Sequence, residues 1–353
     1  MIRRFFKKIK FGLSFRINLM MFGVISILGW AFTYGLAYFV DRMMRTSSVT
    51  DTTEVVDYVI GISMTMMYVM FGILAICTMT IVRMHNTKKQ YVSELRNAKE
   101  QKVSIERDIE ITATIQQGML PTDFPDRTDI DVYGRLTPAK IVGGDLYDCF
   151  VRQAANDYGG IDDYLFFCIG DVSGKGIPAS LLMSVTTHLV RNMSRRTTNV
   201  RRICHSINAT ISERNTQNMF VTLFVGVMNL RTGRLEYCNA GHNPPILMRD
   251  GVATFMSPEV NLPIGVDPTT KYKSEAMHVL PGDILFLYTD GVNEAENSDK
   301  QLFGNEQTLK AVTSAANSVS MKVLTANVLA SVHAFADGAE QSDDLTMVAI
   351  KRV

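Results

Sequence analysis

Two long stretches without a formal charge limit what this chain can fold into. Residues 17–40 and 58–82, 24 and 25 positions, contain no Asp, Glu, Lys or Arg. At about 1.5 Å of rise per residue, a helix over either one covers roughly 36 Å, more than the roughly 30 Å hydrocarbon core of a bilayer. A buried helix of that length in a soluble domain nearly always carries a polar face, and neither segment has one. A cleaved signal peptide does not suit the first segment, whose apolar run is too long and lacks a clear A-x-A site. Two transmembrane helices are therefore expected.

The flanking charges orient them. Arg3, Arg4, Lys7, Lys8, Lys10 and Arg16 precede the first segment with no acidic residue among them, and Arg83, Lys88, Lys89, Arg96, Lys99 and Lys102 follow the second. The connecting loop, 41–57, sets only Arg42 and Arg45 against Asp41, Asp51, Glu54 and Asp57. The positive-inside rule places both termini in the cytoplasm of a multi-pass inner (plasma) membrane protein that touches lipid directly. A loop of 17 residues is too short for a folded sensor domain, so any signal is read by the helices, the lipid or a partner. Over the 353 residues Lys+Arg is 36 and Asp+Glu 35, a net of +1, which gives no bias toward nucleic acid as a partner. The five Cys (Cys77, Cys149, Cys168, Cys204, Cys238) form no C-x-x-C pair and are odd in number. That argues against a zinc site and a disulfide framework, and suits a reducing compartment.

Residues 84–119 read as a helical linker. From Lys88 to Met119 there is no Pro, and the only Gly is Gly118. Tyr91, Leu95, Ala98, Lys102, Ile105, Ile109, Thr112, Gln116 and Met119 alternate steps of four and three, and six of the nine are apolar. Two readings fit: a single helix lying on its own domain, or a parallel two-stranded coil that makes a homodimer. Lys102, Thr112 and Gln116 would weaken the seam of such a coil. Gly118, Pro121 and Pro125 end the helix.

From about Ile130 the pattern changes to short β-rich runs at 130–136, 164–172, 219–229, 234–239, 283–289 and 345–351. Helical patterns fall between them at 178–195, 200–214, 306–316 and 321–337. Strands and helices do not alternate regularly, which favours α+β with antiparallel sheets over a doubly wound sheet. Aspartates sit where strands should begin or end: Asp145 after Val142-Gly143-Gly144, Asp171 after an apolar run, Asp290 before Gly291, and Asp343 with Asp344 before another apolar run. A carboxylate at the end of an apolar strand is costly unless something neutralises it. Any one of these reads as a turn. Four in one domain point to hard divalent cations, Mg²⁺ or Mn²⁺, since the ligands are oxygens and no Cys or His cluster supports zinc.

At these residues the sequence resembles the metal-dependent PPM protein serine/threonine phosphatases, in the bacterial branch of sporulation stage II E and RsbU-like stress-response enzymes. The resemblance runs from about Ile115 to Val353. It rests on QQGMLP from Gln116, VGGDLYD from Val142, IGDVSGKGIPAS from Ile169, NAGHNP from Asn239, LPIG from Leu262, YTDGVNE from Tyr288, Phe303-Gly304 and SDDLT from Ser342. It implies two antiparallel sheets sandwiched between helices over 120–353; the charge-free segments make 1–83 a membrane anchor. It implies that Asp171 bridges two cations (Mn²⁺ or Mg²⁺), that the Val172 carbonyl binds one, that Asp290 and Asp343 hold the other, and that Asp145 acts at the first directly or through water. Water activated by both cations would then attack phosphorus in line. Gly143, Gly144, Gly174 and Gly291 belong to the site loops, where Gly143, Gly144 and Gly174 let the backbone pass close to the metals. The implied substrate is a phosphoserine or phosphothreonine on a small anti-sigma antagonist of the STAS type.

Lys175 is read either as a phosphate contact or as a solvated loop lysine. His242 is read either as a ligand or acid, or as the residue that ends a strand and orders the Asn243-Pro244-Pro245 turn. Other motif readings fail on detail. Gly170 to Gly176 has three residues, not four, before Gly-Lys, and Gly176 replaces the Ser/Thr of a phosphate loop. Gly143-Gly144-Asp145 continues with Leu146 and Tyr147, unlike a diguanylate cyclase signature. A catalytically degenerate signalling scaffold of the same fold is the alternative function, and the intact acidic set argues against it.

Overall fold

In the computed structural model, residues 13–46, 52–156, 158–213 and 215–353 are described. The chain falls into two compact units, Met1–Ser104 and Ile105–Val353.

The described part of the first unit is helical. α1 spans Leu13–Thr46, and α2 runs unbroken over Thr52–Gln117, passing from the first unit into the second. Both are long and apolar enough to cross a membrane, and their most apolar stretches bury none of their length within the chain. The two helices touch where Met70 reaches Gly29. The basic arm at 1–12 and part of the connecting loop, 47–51, lie outside the described residues.

The second unit is a four-layer sandwich. Among the described residues it has ten strands: β1 Ile130–Thr137, β2 Leu146–Ala155, β3 Ile161–Val172, β4 Val221–Asn229, β5 Arg234–Ala240, β6 Ile246–Arg249, β7 Val252–Phe255, β8 Glu275–His278, β9 Ile284–Tyr288 and β10 Leu345–Arg352. One sheet has the order β1-β10-β9-β6-β7 and the other β2-β3-β4-β5-β8, with every neighbouring pair antiparallel. Ile130, Val132, Leu165, Phe167, Phe224, Leu285, Leu287, Val348 and Ile350 fill the space between the sheets. The expected α+β class with antiparallel sheets is what forms.

Each outer face is covered by helices with one apolar stripe. α3 (Ile177–Ser194) and α4 (Val200–Ser212) pack on the second sheet; α6 (Gly304–Ser314) and α7 (Met321–Ala336) pack on the first. α4 buries Ile203, Ile207 and Ile211 at i, i+4 and i+8, and starts where the Asn199 side chain accepts from the Arg202 N–H at 3.0 Å. α7 buries Leu324, Val328 and Val332 at the same spacing. A short α5, Asp290–Asn293, follows β9 directly.

Strand β2 has no counterpart in the patterning above. Its run is broken by Asp148 and Arg152. The structure compensates the first charge: Asp148 is fully buried and takes a two-pronged ion pair from Arg191 on α3, at 2.5 and 2.8 Å.

A candidate cation site at one edge of the sandwich

The four singled-out aspartates come from both sheets and meet at one edge. Asp171 lies at the end of β3, Asp145 just before β2, Asp290 at the start of α5 and Asp343 just before β10. β2 pairs with β3 so that Leu146 opposes Gly170, which sets Asp145 and Asp171 side by side. β10 pairs with β9 so that Met347 opposes Tyr288, which brings Asp343 and Asp290 together from the other sheet.

Each carboxyl is held differently. Asp145 is buried, and its Oδ2 accepts from Thr289 Oγ1 at 2.8 Å and Thr346 Oγ1 at 2.5 Å. Burial and the charge of Asp171 push its carboxyl well above the usual carboxylate range. Asp171 is pushed up to about 7, first by burial and then by Asp290 and Asp343. Asp290 is raised by burial, then by Glu294 and Asp343. Asp343 is partly exposed and ion-paired to Lys175 Nζ at 2.9 Å. Lys175 also donates to the Ser342 carbonyl at 2.9 Å, so it is neither simply solvated nor pointing freely outward.

Two glycines leave the backbone room. A Cβ on Gly144 would stand 2.9 Å from the Val172 carbonyl oxygen and 3.3 Å from Asp171 Oδ1. Only glycine keeps that cradle open, and its walls are the oxygens expected to hold a cation. On Gly143 a Cβ would strike Asp344 Oδ2, and on Gly291 it would strike the Asp344 carbonyl, so both mark close chain crossings. At Gly174 little of the protein lies near the missing side chain, and a φ of +90° favours glycine there.

An all-oxygen set of crowded carboxyls around a carbonyl fits a hard divalent cation better than any soft metal. Among the described residues, no three His, Cys, Asp or Glu side chains close on one point as a finished metal cage. Asp343 is turned to Lys175 and Asp145 to its threonines, so the donors surround a cleft without collapsing into it.

His242 lies behind the cleft. It is buried, its Nδ1 is 3.0 Å from Thr222 Oγ1, and that hydroxyl in turn lies 3.3 Å from both the backbone N and O of Asp171. The Asn239 side chain accepts from the His242 N–H and donates to its carbonyl, at 2.7 and 2.9 Å, which orders the turn. Burial draws the imidazole down to about 4, with the Tyr288 carbonyl opposing, so it is neutral.

Two residues that hold the site were not singled out for it from sequence. Asp344 is buried and serves as a hub: its Oδ1 accepts from the Ala139 N–H at 2.9 Å and its Oδ2 from the Gly144 N–H at 3.0 Å. Gln116, read as one position of a coil seam, is instead buried on its own unit and pairs with the Gly143 peptide. At this last turn the reading of a helix lying on its own domain describes what is seen. The motif QQGMLP was the available signal for Gln116; for Asp344 it was the doubled aspartate.

Comparison with known proteins identifies relatives of the chain. The family model of stage II sporulation protein E (SpoIIE) matches residues 161–353. The chain is 28% identical over 285 residues to protein IcfG of Synechocystis sp., covering 72% of this chain and 43% of that protein. It is 29% identical over 196 residues to phosphoserine phosphatase RsbU of Bacillus subtilis, covering 55% of this chain and 56% of RsbU. The chain thus spans about half the length of these curated relatives. Among solved structures, the SiaA-PP2C domain of Pseudomonas aeruginosa aligns with a TM-score of 0.59 at 17% identity, over 71% of this chain and 98% of that domain. This likeness shows a shared fold. With the family model covering more than half of its length, the chain belongs to the SpoIIE family.

Proposed function

We propose that the chain is a membrane-anchored, divalent-cation-dependent protein serine/threonine phosphatase acting on a phosphorylated cytoplasmic signalling protein. The observation that carries this reading is the meeting of Asp145, Asp171, Asp290 and Asp343 around the Gly144–Val172 cradle. Mn²⁺ or Mg²⁺ bound there would supply a water of lowered pKa and neutralise phosphoryl oxygens. The chain's own residues do the rest. Asp171 and the Val172 carbonyl present oxygens from β3, and Asp290 and Asp343 present theirs from the other sheet. Thr289 and Thr346 hold Asp145 in one orientation. Lys175 puts a positive charge in the same cleft, suited to an anionic phosphoryl group.

The relative named a phosphoserine phosphatase supports phosphoserine as the substrate group. A small STAS-type anti-sigma antagonist is the proposed carrier, as the resemblance implies. The apolar helices α1 and α2 support anchoring in the plasma membrane, with both termini cytoplasmic and the linker as a homodimer contact.

The test is hydrolysis of a phosphoserine peptide by the full chain in detergent, with and without Mn²⁺. Wild type should turn over only with the cation, and Asp171→Asn should lose at least about a hundredfold while keeping its fold. Turnover retained by Asp171→Asn at ordinary Mn²⁺ would refute the two-cation assignment. A folded wild type that binds Mn²⁺ without turnover would mark a scaffold instead.

A further inference from the structure

The last turn of α2 makes a contact that the proposed chemistry does not by itself explain. Gln116 Nε2 donates to the Gly143 carbonyl at 2.6 Å, and Gln116 Oε1 accepts from the Gly143 N–H at 3.2 Å. One carboxamide thereby satisfies both polar groups of one peptide residue, as a neighbouring strand would. Gln116 and Gly143 are both buried, so no solvent substitutes for this pairing. Gly143 lies in an irregular loop between β1 and β2, without a ladder of its own. On its other side the loop is held by Asp344 through the Gly144 N–H. The Gly143–Asp145 segment is therefore suspended between a helix end and the start of β10. Ala113, one turn earlier on α2, is buried, and Leu120 just beyond it packs against two of the sandwich cores. The seat of the helix is thus built from residues at steps of three and four.

We infer that Gln116 is a positioning residue for the cation site: by gripping the Gly143 peptide it sets Gly144 against the Val172 carbonyl and Asp145 beside Asp171. This rests on the cation-dependent reading above and assigns the end of α2 to the site. Such a support acts like the outer hydrogen-bonding partner of a metal ligand, whose loss typically weakens metal affinity about ten- to a hundredfold. Gln116→Met keeps the side chain's length without either hydrogen bond. Gln116→Glu keeps an acceptor for the Gly143 N–H and places a second acceptor against the Gly143 carbonyl.

The experiment is calorimetric titration of the full chain in detergent with Mn²⁺, together with amide hydrogen exchange. Both variants should bind Mn²⁺ about ten- to a hundredfold more weakly. Their amide protection should fall at Gly143 and Gly144 and stay as in wild type in β3, β4 and β10. Activity at saturating Mn²⁺ should recover further than activity at limiting Mn²⁺. Equal Mn²⁺ affinity and equal exchange in wild type and both variants would overturn the inference while leaving the phosphatase reading intact. Protection lost throughout both sheets would also overturn it, since Gln116 would then hold the fold and not the site. Wild type that binds no Mn²⁺ would overturn both readings together.

Discussion

Asp343 and Asp344 are chemically identical neighbours that the fold uses in opposite ways, and replacing each by Ala should separate them. Asp344 accepts from the Ala139 and Gly144 N–H groups at 2.9 and 3.0 Å and is buried. Its contact with the Asp145 N–H, at 3.5 Å, is too long to count. Hydrogen bonds to a charged acceptor are worth about 1.5–3 kcal/mol each, and the variant leaves one buried and one part-buried N–H group without this partner. Relief from desolvating the carboxylate offsets part of this, so Asp344→Ala should destabilise the second unit by about 2–4 kcal/mol. At roughly 2–4 °C per kcal/mol for a domain of this size, its melting temperature falls by roughly 5–15 °C. Asp343→Ala loses a partly exposed pair with Lys175, worth about 1 kcal/mol or less, and a part-buried bond from the Asp344 N–H at 2.9 Å, worth about 1 kcal/mol. It should melt above Asp344→Ala and yet lose Mn²⁺-dependent hydrolysis. The only Trp, Trp30, lies in α1, so tyrosine near-ultraviolet dichroism is the suitable probe of the sandwich. Amide exchange at Ala139 and Gly144 reports the broken bonds directly. An Asp344→Ala protein that melts within about 2 °C of wild type, with both amides still protected, would refute the hub assignment.

Three further outcomes are expected. His242 has its folded pKa lowered from 6.5 to about 4. The unfolded chain therefore binds more protons between those values, and stability present above pH 6.5 is lost as pH falls toward 4, by an amount of order 3 kcal/mol. In urea titrations of the chelated protein, His242→Gln should flatten that dependence, and an unchanged slope would count against it. Gly144→Ala should bind Mn²⁺ more weakly by calorimetry, because its Cβ would crowd the Val172 carbonyl at 2.9 Å; unchanged affinity would show that the cradle is not the cation's place. Reporter fusions at Met1 and Val353 should both read as cytoplasmic and a tag at Ser48 as external, and an external C-terminus would disprove the topology.

Much of the architecture was legible in the order of residues because its causes are local. Charge-free runs of helix length specify α1 and the start of α2 whatever surrounds them. The i, i+4, i+8 apolar positions of α4 and α7 declare which face must be covered. The fully apolar β9 and the nearly apolar β4 announce central strands, and the aspartates at strand ends, with the family motifs around them, mark one edge as chemical. What stayed hidden depends on partners far away in the chain. β2 did not show itself because Asp148 interrupts it, and only packing against α3 supplies the compensating Arg191. The four-residue strands β6, β7 and β8 are too short to carry a period and exist because a neighbouring strand offers them a ladder.

The same division runs through the site. The sequence by itself pointed to a gathering of carboxylates, since acidic residues at several strand ends demand neutralisation. Only the tertiary structure decided which aspartate of the 343/344 pair holds a distant backbone, because that choice turns on the Ala139 and Gly144 N–H groups, 205 and 200 residues from Asp344. It also placed Gln116 on the Gly143 peptide, 27 residues away. Hydrogen-bonding capacity is written in each residue type, but a partner is chosen by which chains cross. That crossing is set by the registers of two sheets, and no stretch of sequence contains both.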